Sequence, residues 1–193
     1  MTVTGTGNYT GSVKKSFTIK QQALSSSRIS LSYTSVAYSG SSKTPTVTVK
    51  NSAGTKLTKN TDYTISYSKS TRKAIGKYTI TMKGKGNYSG SISKTYKIIP
   101  KKMTVKSAKS SSKKKLTVKW TKISGSVTKY QIRYRVKGTS AWKTKTVSSS
   151  KSSYTLSGLK SGKTYQIQIR AYKTVNGTKY YGNWSGTKTA KVK

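Results

Sequence analysis

The chain has 193 residues, 31 % of them hydrophobic, and carries 40 Lys and Arg against one acid, Asp62, for a formal net charge of +39. It has no Cys, no His and no Glu, which excludes disulfides, thiol chemistry, paired carboxylates and any Ser/His/Asp set. No apolar run approaches the roughly 20 residues that a membrane helix needs.

Low apolar content with high charge usually marks disorder. Here, however, the apolar residues alternate with polar ones, and 15 Tyr supply bulk. The pattern predicts folded β modules, and the length suits two domains of ordinary size. With almost no ion pair possible, like-charge repulsion opposes compaction, most strongly at low salt. A core that holds against it requires salt or a polyanion as counterion. Arginine occurs only at 28, 72, 133, 135 and 170; the remaining bases are Lys, a hydrated point charge poorly suited to bidentate recognition. The bulk of the charge therefore predicts diffuse attraction to polyanions with little reading of sequence.

In chain order, an internal repeat comes first. Residues 5–19, GTGNYTGSVKKSFTI, recur at 84–98 as GKGNYSGSISKTYKI, an offset of 79 residues. Val13/Ile92, Phe17/Tyr96 and Ile19/Ile98 share one strand face, and the preceding Gly-Asn-Tyr-x-Gly supplies the turn of a hairpin. Met1 opens directly onto the strand-like TVTGTGNY, which reads as the start of an excised fragment with any export signal outside it. Residues 1–20 are then the last hairpin of a mostly missing module. Such a hairpin is marginal alone and leaves an open edge, so it is expected to dock, to self-associate through that strand edge, or to fray.

Residues 24–99 read as a complete module. Val47 and Val49, then Tyr63, Ile65 and Tyr67, then Tyr78, Ile80 and Met82 each alternate with polar residues, with turns at NSAGTK and KNTD. Tyr38–Gly40, Pro45, Asp62–Tyr63 and Gly84–Gly90 resemble the immunoglobulin-like surface repeats of secreted Gram-positive bacterial proteins. Residues 100–102, beginning at Pro100, read as a linker, since Pro cannot extend a strand ladder.

Residues 103–193 continue the strand pattern. Leu116, Val118 and Trp120 alternate on one, Tyr130, Ile132, Tyr134 and Val136 on the next, and Trp142 to Val147 form a third. Leu159, Gly162 and Tyr165 lead into Tyr165, Ile167, Ile169 and Ala171, and Trp184-Ser185 precedes a last strand from Thr187 to Val192. This segment resembles a fibronectin type III domain, and the Leu-Gly-Tyr lead-in resembles the tyrosine corner of Greek-key sandwiches. The resemblance implies an all-β fold of tandem β-sandwich modules, immunoglobulin-like then fibronectin type III-like. It implies no integrin adhesion, because Arg-Gly-Asp is absent. Fold alone does not license function.

For chemistry the inventory predicts no enzyme, no cofactor and no metal site. Asp62, in LTKNTDYTISY, reads as a turn cap or a counterion for nearby lysines; the other reading is the carboxylate of a self-formed Lys–Asn cross-link. The sharper candidate is a sheet face. Gln131, Arg133 and Arg135 on one strand and Gln166, Gln168, Arg170 and Tyr172 on another point outward, and the resembled fold makes these strands neighbours. The strand after the first adds Lys143 and Lys145 beside Trp142. Arg133, Arg135, Arg170, Tyr172, Lys143 and Lys145 are therefore the candidate polyanion site; the alternative is an ordinary solvated basic face.

The functional expectation is a non-enzymatic structural or adhesive stalk fragment of a bacterial secreted or surface protein, located outside the cell. It would retain anionic polymers: teichoic acid, acidic glycan or nucleic acid. The alternatives are a dedicated nucleic-acid-binding protein and a passive spacer without a ligand.

Overall fold

The computed structural model describes residues 1–16, 18–123 and 127–193; the expected placement of Phe17 on the first hairpin's apolar face lies outside them. The protein is all-β. The strands are β1 (Thr2–Thr4), β2 (Ser12–Lys14), β3 (Gln22–Ala23), β4 (Ile29–Leu31), β5 (Ser35–Ala37), β6 (Val47–Val49), β7 (Tyr63–Tyr67), β8 (Gly76–Gly84), β9 (Tyr88–Ser89) and β10 (Ser91–Ile99). There follow β11 (Val105–Lys109), β12 (Leu116–Trp120), β13 (Lys129–Val136), β14 (Lys143–Ser148), β15 (Ser153–Leu156), β16 (Thr164–Val175), β17 (Thr178–Tyr181) and β18 (Lys188–Lys191). The chain divides into two compact units: Met1–Ser30, Thr48–Ser66 and Thr81–Ser93 make one, and Leu31–Val47, Tyr67–Ile80 and Lys94–Lys193 the other. Residues 100–102 thus lie inside the second unit, where Pro100 is buried.

In the first unit the two copies of the repeat form the same turn. Gly5 N–H donates to Gly11 O and Gly84 N–H to Gly90 O, both at 2.9 Å. Gly7 and Gly86 take φ of 69° and 62°, and Gly11 and Gly90 take 99° and 83°, values that favour glycine. Gly5 and Gly84 matter for a different reason. A Cβ on Gly5 would lie 2.9 Å from Tyr9 O, and one on Gly84 2.7 Å from Ser89 N, so the turn closes only over a bare Cα. The KNTD turn places Asn60 at φ 71°, and the Asp62 carboxylate accepts the Thr58 N–H at 2.7 Å, the geometry of a turn cap.

The alternation in the sequence becomes burial. Along β8 every second residue is buried from Gly76 to Met82, because successive side chains of a strand face opposite ways. In the second unit Tyr78 stacks on Tyr96 with ring centroids 5.5 Å apart. The Tyr78 hydroxyl donates to Ala74 O and the Tyr96 hydroxyl to Lys43 O, both at 2.7 Å.

Residues 103–193 form two antiparallel sheets, β11-β12-β15 and β14-β13-β16-β17, with β18 also pairing with β16. Between them lie Val105, Leu116, Val118, Trp120, Tyr130, Ile132, Leu156, Ile167 and Ile169, all buried. Trp120 meets the edge of Tyr130 at 5.8 Å. The Tyr165 hydroxyl accepts the Lys160 N–H at 3.0 Å, and Gly162 takes φ 74° to make the turn between them. This is the expected tyrosine corner. It ties the loop to β16, the strand that carries Gln166, Gln168 and Arg170.

Tyr165→Phe removes the acceptor of a part-buried amide and should lower stability by about 1 kcal/mol, read as a shift in the urea midpoint with unchanged slope. Burial raises the pKa of the Tyr33, Tyr63, Tyr78 and Tyr96 phenols above the ordinary value. The unfolded chain ionises these groups first, so the stability they contribute is complete below about pH 10 and is lost as pH rises through the folded values. Phenolate absorbance should show a late-titrating group that joins the early one in urea.

Candidate functional site

Strands β13 and β16 pair with Gln131 opposite Arg170, Arg133 opposite Gln168 and Arg135 opposite Gln166. Directly opposed side chains lie on the same face of a sheet, so each arginine meets a glutamine. Arg170 Nε donates to Gln131 Oε1 at 2.8 Å, Arg133 Nε to Gln168 Oε1 at 2.6 Å and Arg135 Nε to Gln166 Oε1 at 2.8 Å. Gln168 Nε2 in turn donates to Thr187 Oγ1 at 2.9 Å. These bonds fix the guanidinium planes.

Aromatic rings fill the spaces between the planes. The Arg135 guanidinium lies 4.3 Å from the Trp142 ring centroid, and Arg133 lies 4.4 Å from Trp142 and 4.3 Å from Trp184. Arg170 lies 4.2 Å from Trp184 and 3.9 Å from Tyr181. The order is Arg135, Trp142, Arg133, Trp184, Arg170, Tyr181: three cations interleaved with three rings. The negative ring faces attract the guanidiniums by about 0.5–2 kcal/mol per contact, according to desolvation.

Trp184 reaches this face because the segment between β17 and β18 is pinned to β16. Gly182 N–H donates to Ala171 O at 2.9 Å and Ser185 N–H to Ile169 O at 2.8 Å. The buried Ser185 hydroxyl accepts the Ile169 N–H at 3.0 Å and donates to Gly186 O at 2.8 Å. Trp142 comes from the residue just before β14, whose pairing places it beside Arg135.

Burial lowers the Arg133 and Arg170 pKa values. For Arg133 the Arg135 charge adds to the fall; for Arg170 the Tyr181 phenol opposes it and the Arg133 charge adds to it. Arginine remains a cation through such shifts. Among the described residues, the terminal nitrogens of Arg133 and Arg170 have no hydrogen-bond acceptor, while Arg135 Nη1 reaches Ser140 O at 3.4 Å. The face can therefore offer in-plane N–H donors to anionic oxygens. Its rings, already covered by guanidiniums, are poor platforms for stacking bases.

The structure brings Arg133, Arg135 and Arg170 together on one sheet face. It does not add Lys143 or Lys145 to that face. Lys143 lies opposite Tyr134 and Lys145 opposite Ile132, so both share the side of the sheet that carries the core. They are exposed because β14 is an edge strand. Strand parity puts Trp142, Thr144 and Thr146 beside the arginines instead. Tyr172 is on the outer face but buried, its ring 5.2 Å from that of Tyr181, and it offers no open face. Sequence reasoning missed the parts played by Trp142, Tyr181 and Trp184. The available signal was an aromatic residue in each strand or turn flanking the arginine strands. Among the described residues no three His, Cys, Asp or Glu gather to hold a metal, and no helix is long and apolar enough to cross a membrane.

Two facing antiparallel sheets with a tyrosine corner make a β-sandwich, and residues 99–185 match the family model described as fibronectin type III domain. Similar solved structures include the fn3 domain of human contactin 1, 24 % identical over 49 % of this chain and 79 % of that one, with a TM-score of 0.44. The fn3 domain of the human collagen alpha-1(XX) chain is 22 % identical over 45 % of this chain and 78 % of that one, with a TM-score of 0.39. The FN1–FN3 domains of chicken CNTN1 are 20 % identical over 94 % of this chain and 71 % of that one, with a TM-score of 0.45. A search of curated proteins finds no match.

Arg133→Lys keeps the charge but loses the planar stack and the Nε bond to Gln168. It should cost this sandwich about 1–3 kcal/mol, whereas Lys145→Ala should stay within about 0.5 kcal/mol. Thermal unfolding followed by tryptophan emission compares the two.

Proposed function

We propose that the chain is a non-enzymatic structural or adhesive piece of a bacterial secreted or surface protein. In this reading residues 24–99 are an immunoglobulin-like repeat, 100–102 a linker and 103–193 a fibronectin type III module. Fibronectin type III domains are commonly structural and adhesive modules. The positively charged exterior would hold anionic polymers of the surroundings: teichoic acid, acidic glycan or DNA.

One observation carries this reading: a formal charge of +39 with a single acid in the chain. That acid is already engaged in a turn, so external anions are the available counter-charge. Association driven by released counterions weakens as salt rises. The arginine–aromatic face is the most ordered cationic surface on the sandwich, and its free edges suit phosphate, sulfate or carboxylate oxygens. Coverage of the rings by guanidiniums favours anion contact over base stacking, and so favours general polyanion retention over dedicated nucleic-acid binding.

Competition tests it. The chain should bind heparin, teichoic acid and DNA at about 0.15 M salt, and heparin and teichoic acid should displace DNA at equal charge. For DNA, log K should fall with log salt at a slope of about −0.9 per phosphate neutralised. DNA that resists both competitors would mean a nucleic-acid-binding protein, and no binding at all would mean a spacer. With folding verified, a loss for Arg133→Lys well beyond that for Lys145→Ala would place a site on the arginine face. Equal losses would leave only diffuse attraction.

A further inference from the structure

The first hairpin, β1 with β2, repeats the geometry of the second hairpin but not its burial. Val3 is 56 % exposed where its counterpart 79 residues on, Met82, is 0 % exposed; Ile19 is 76 % exposed and Ile98 0 %; Met1 is 81 % exposed and Ile80 0 %. The second hairpin is flanked in its sheet by β5 and β7, both from the module that precedes it in sequence. Around its loop, Gln22–Ala23 add a parallel strand to Tyr88–Ser89, and Leu24 N–H donates to Ser89 O at 3.0 Å. Lys85 Nζ donates to Asn60 O and Lys85 N–H to Asp62 O, both at 2.9 Å. Tyr9 and Thr10, the counterparts of Tyr88 and Ser89, carry no strand partner.

We infer that residues 1–20 are a docking surface for the body of a further repeat, a polypeptide equivalent to residues 21–79, joined ahead of Met1. The interface is already established once in this chain, between the second hairpin and its own module, and the first hairpin continues it at an offset of 79 residues. The turn is preformed without the partner: the Gly5–Gly11 bond, both left-handed glycines and the close approach at Gly5 are all in place. Its Met1, Val3 and Ile19 occupy positions that the second hairpin buries. A second copy of the intact chain fits this surface less well, because its 21–79 body is already closed by its own second hairpin. The surface is independent of anion binding.

The test lengthens the full chain by placing a copy of residues 21–79 before Met1, which continues the 79-residue period without a break. Hydrogen exchange over residues 1–20 should slow by about 100-fold or more, with 80–193 unchanged, and one further cooperative unfolding transition should appear. Val3→Lys with Ile19→Lys in the lengthened chain should abolish both gains and leave 80–193 protected. Unchanged exchange over 1–20 in the lengthened chain would overturn the inference. So would a dimer of the original chain that protects 1–20 equally, since a second copy would then be the occupant.

Discussion

Folding here must proceed almost without carboxylates. Most globular domains neutralise their cations with Asp and Glu; this chain has one acid for 40 bases. Apolar burial between paired sheets supplies the main favourable free energy, and the cations are accommodated by weaker acceptors. Arg133, Arg135 and Arg170 use ring faces and glutamine oxygens. Arg72 does the same on a smaller scale, lying 4.2 Å from the Tyr67 ring centroid while Nη1 donates to the carbonyls of Lys69 and Ser70 at 2.9 and 3.0 Å. Among the described residues Ser185 is the only buried polar residue besides the aromatics and none of the charged residues is buried, so no charge is taken into either core.

This solution also shapes the surface. Arginine with its Nε bonded and its plane stacked keeps its charge and presents only its edge. The sandwich thus holds three cations within one face without the repulsion scattering them, because each ring sits between or beside guanidiniums and screens them with its negative quadrupole. Lysines, with no plane to stack, are dispersed over turns and over edge and interior strands alike; those on edge strands also discourage strand-to-strand association.

Much of the fold was legible from the sequence. The alternation at Tyr165, Ile167, Ile169 and Ala171 became the central strand of a sheet, and the 79-residue repeat became two hairpins with the same turn. The pairing of the Arg133 and Arg170 strands came from the resemblance to the fibronectin type III fold; the period of two in both runs gave only which of their side chains point outward. The composition of the face was less so. Lys143 and Lys145 were assigned to it by proximity to Trp142, but adjacency in sequence reverses the face on a strand, and register is fixed by the intervening turn at 137–142. Tyr172 has the parity expected of an exposed residue; its burial depends on Tyr181 arriving from the next strand. The interleaving itself depends on Trp142 and Trp184, which are 42 positions apart and reach the same guanidinium, that of Arg133, only once the sheet has formed. No local pattern encodes that convergence.

The placement of the indoles has a practical corollary. All three tryptophans of the chain, Trp120, Trp142 and Trp184, fall within residues 99–185, the portion that matches the fibronectin type III model: one lies between its sheets and two lie among its arginines. Intrinsic emission excited at the indole band is therefore a private signal of that portion. The repeat module, built on tyrosine, is silent in it. A single unlabelled sample can thus report the melting of one part of the polypeptide through indole light and of the whole through far-ultraviolet dichroism.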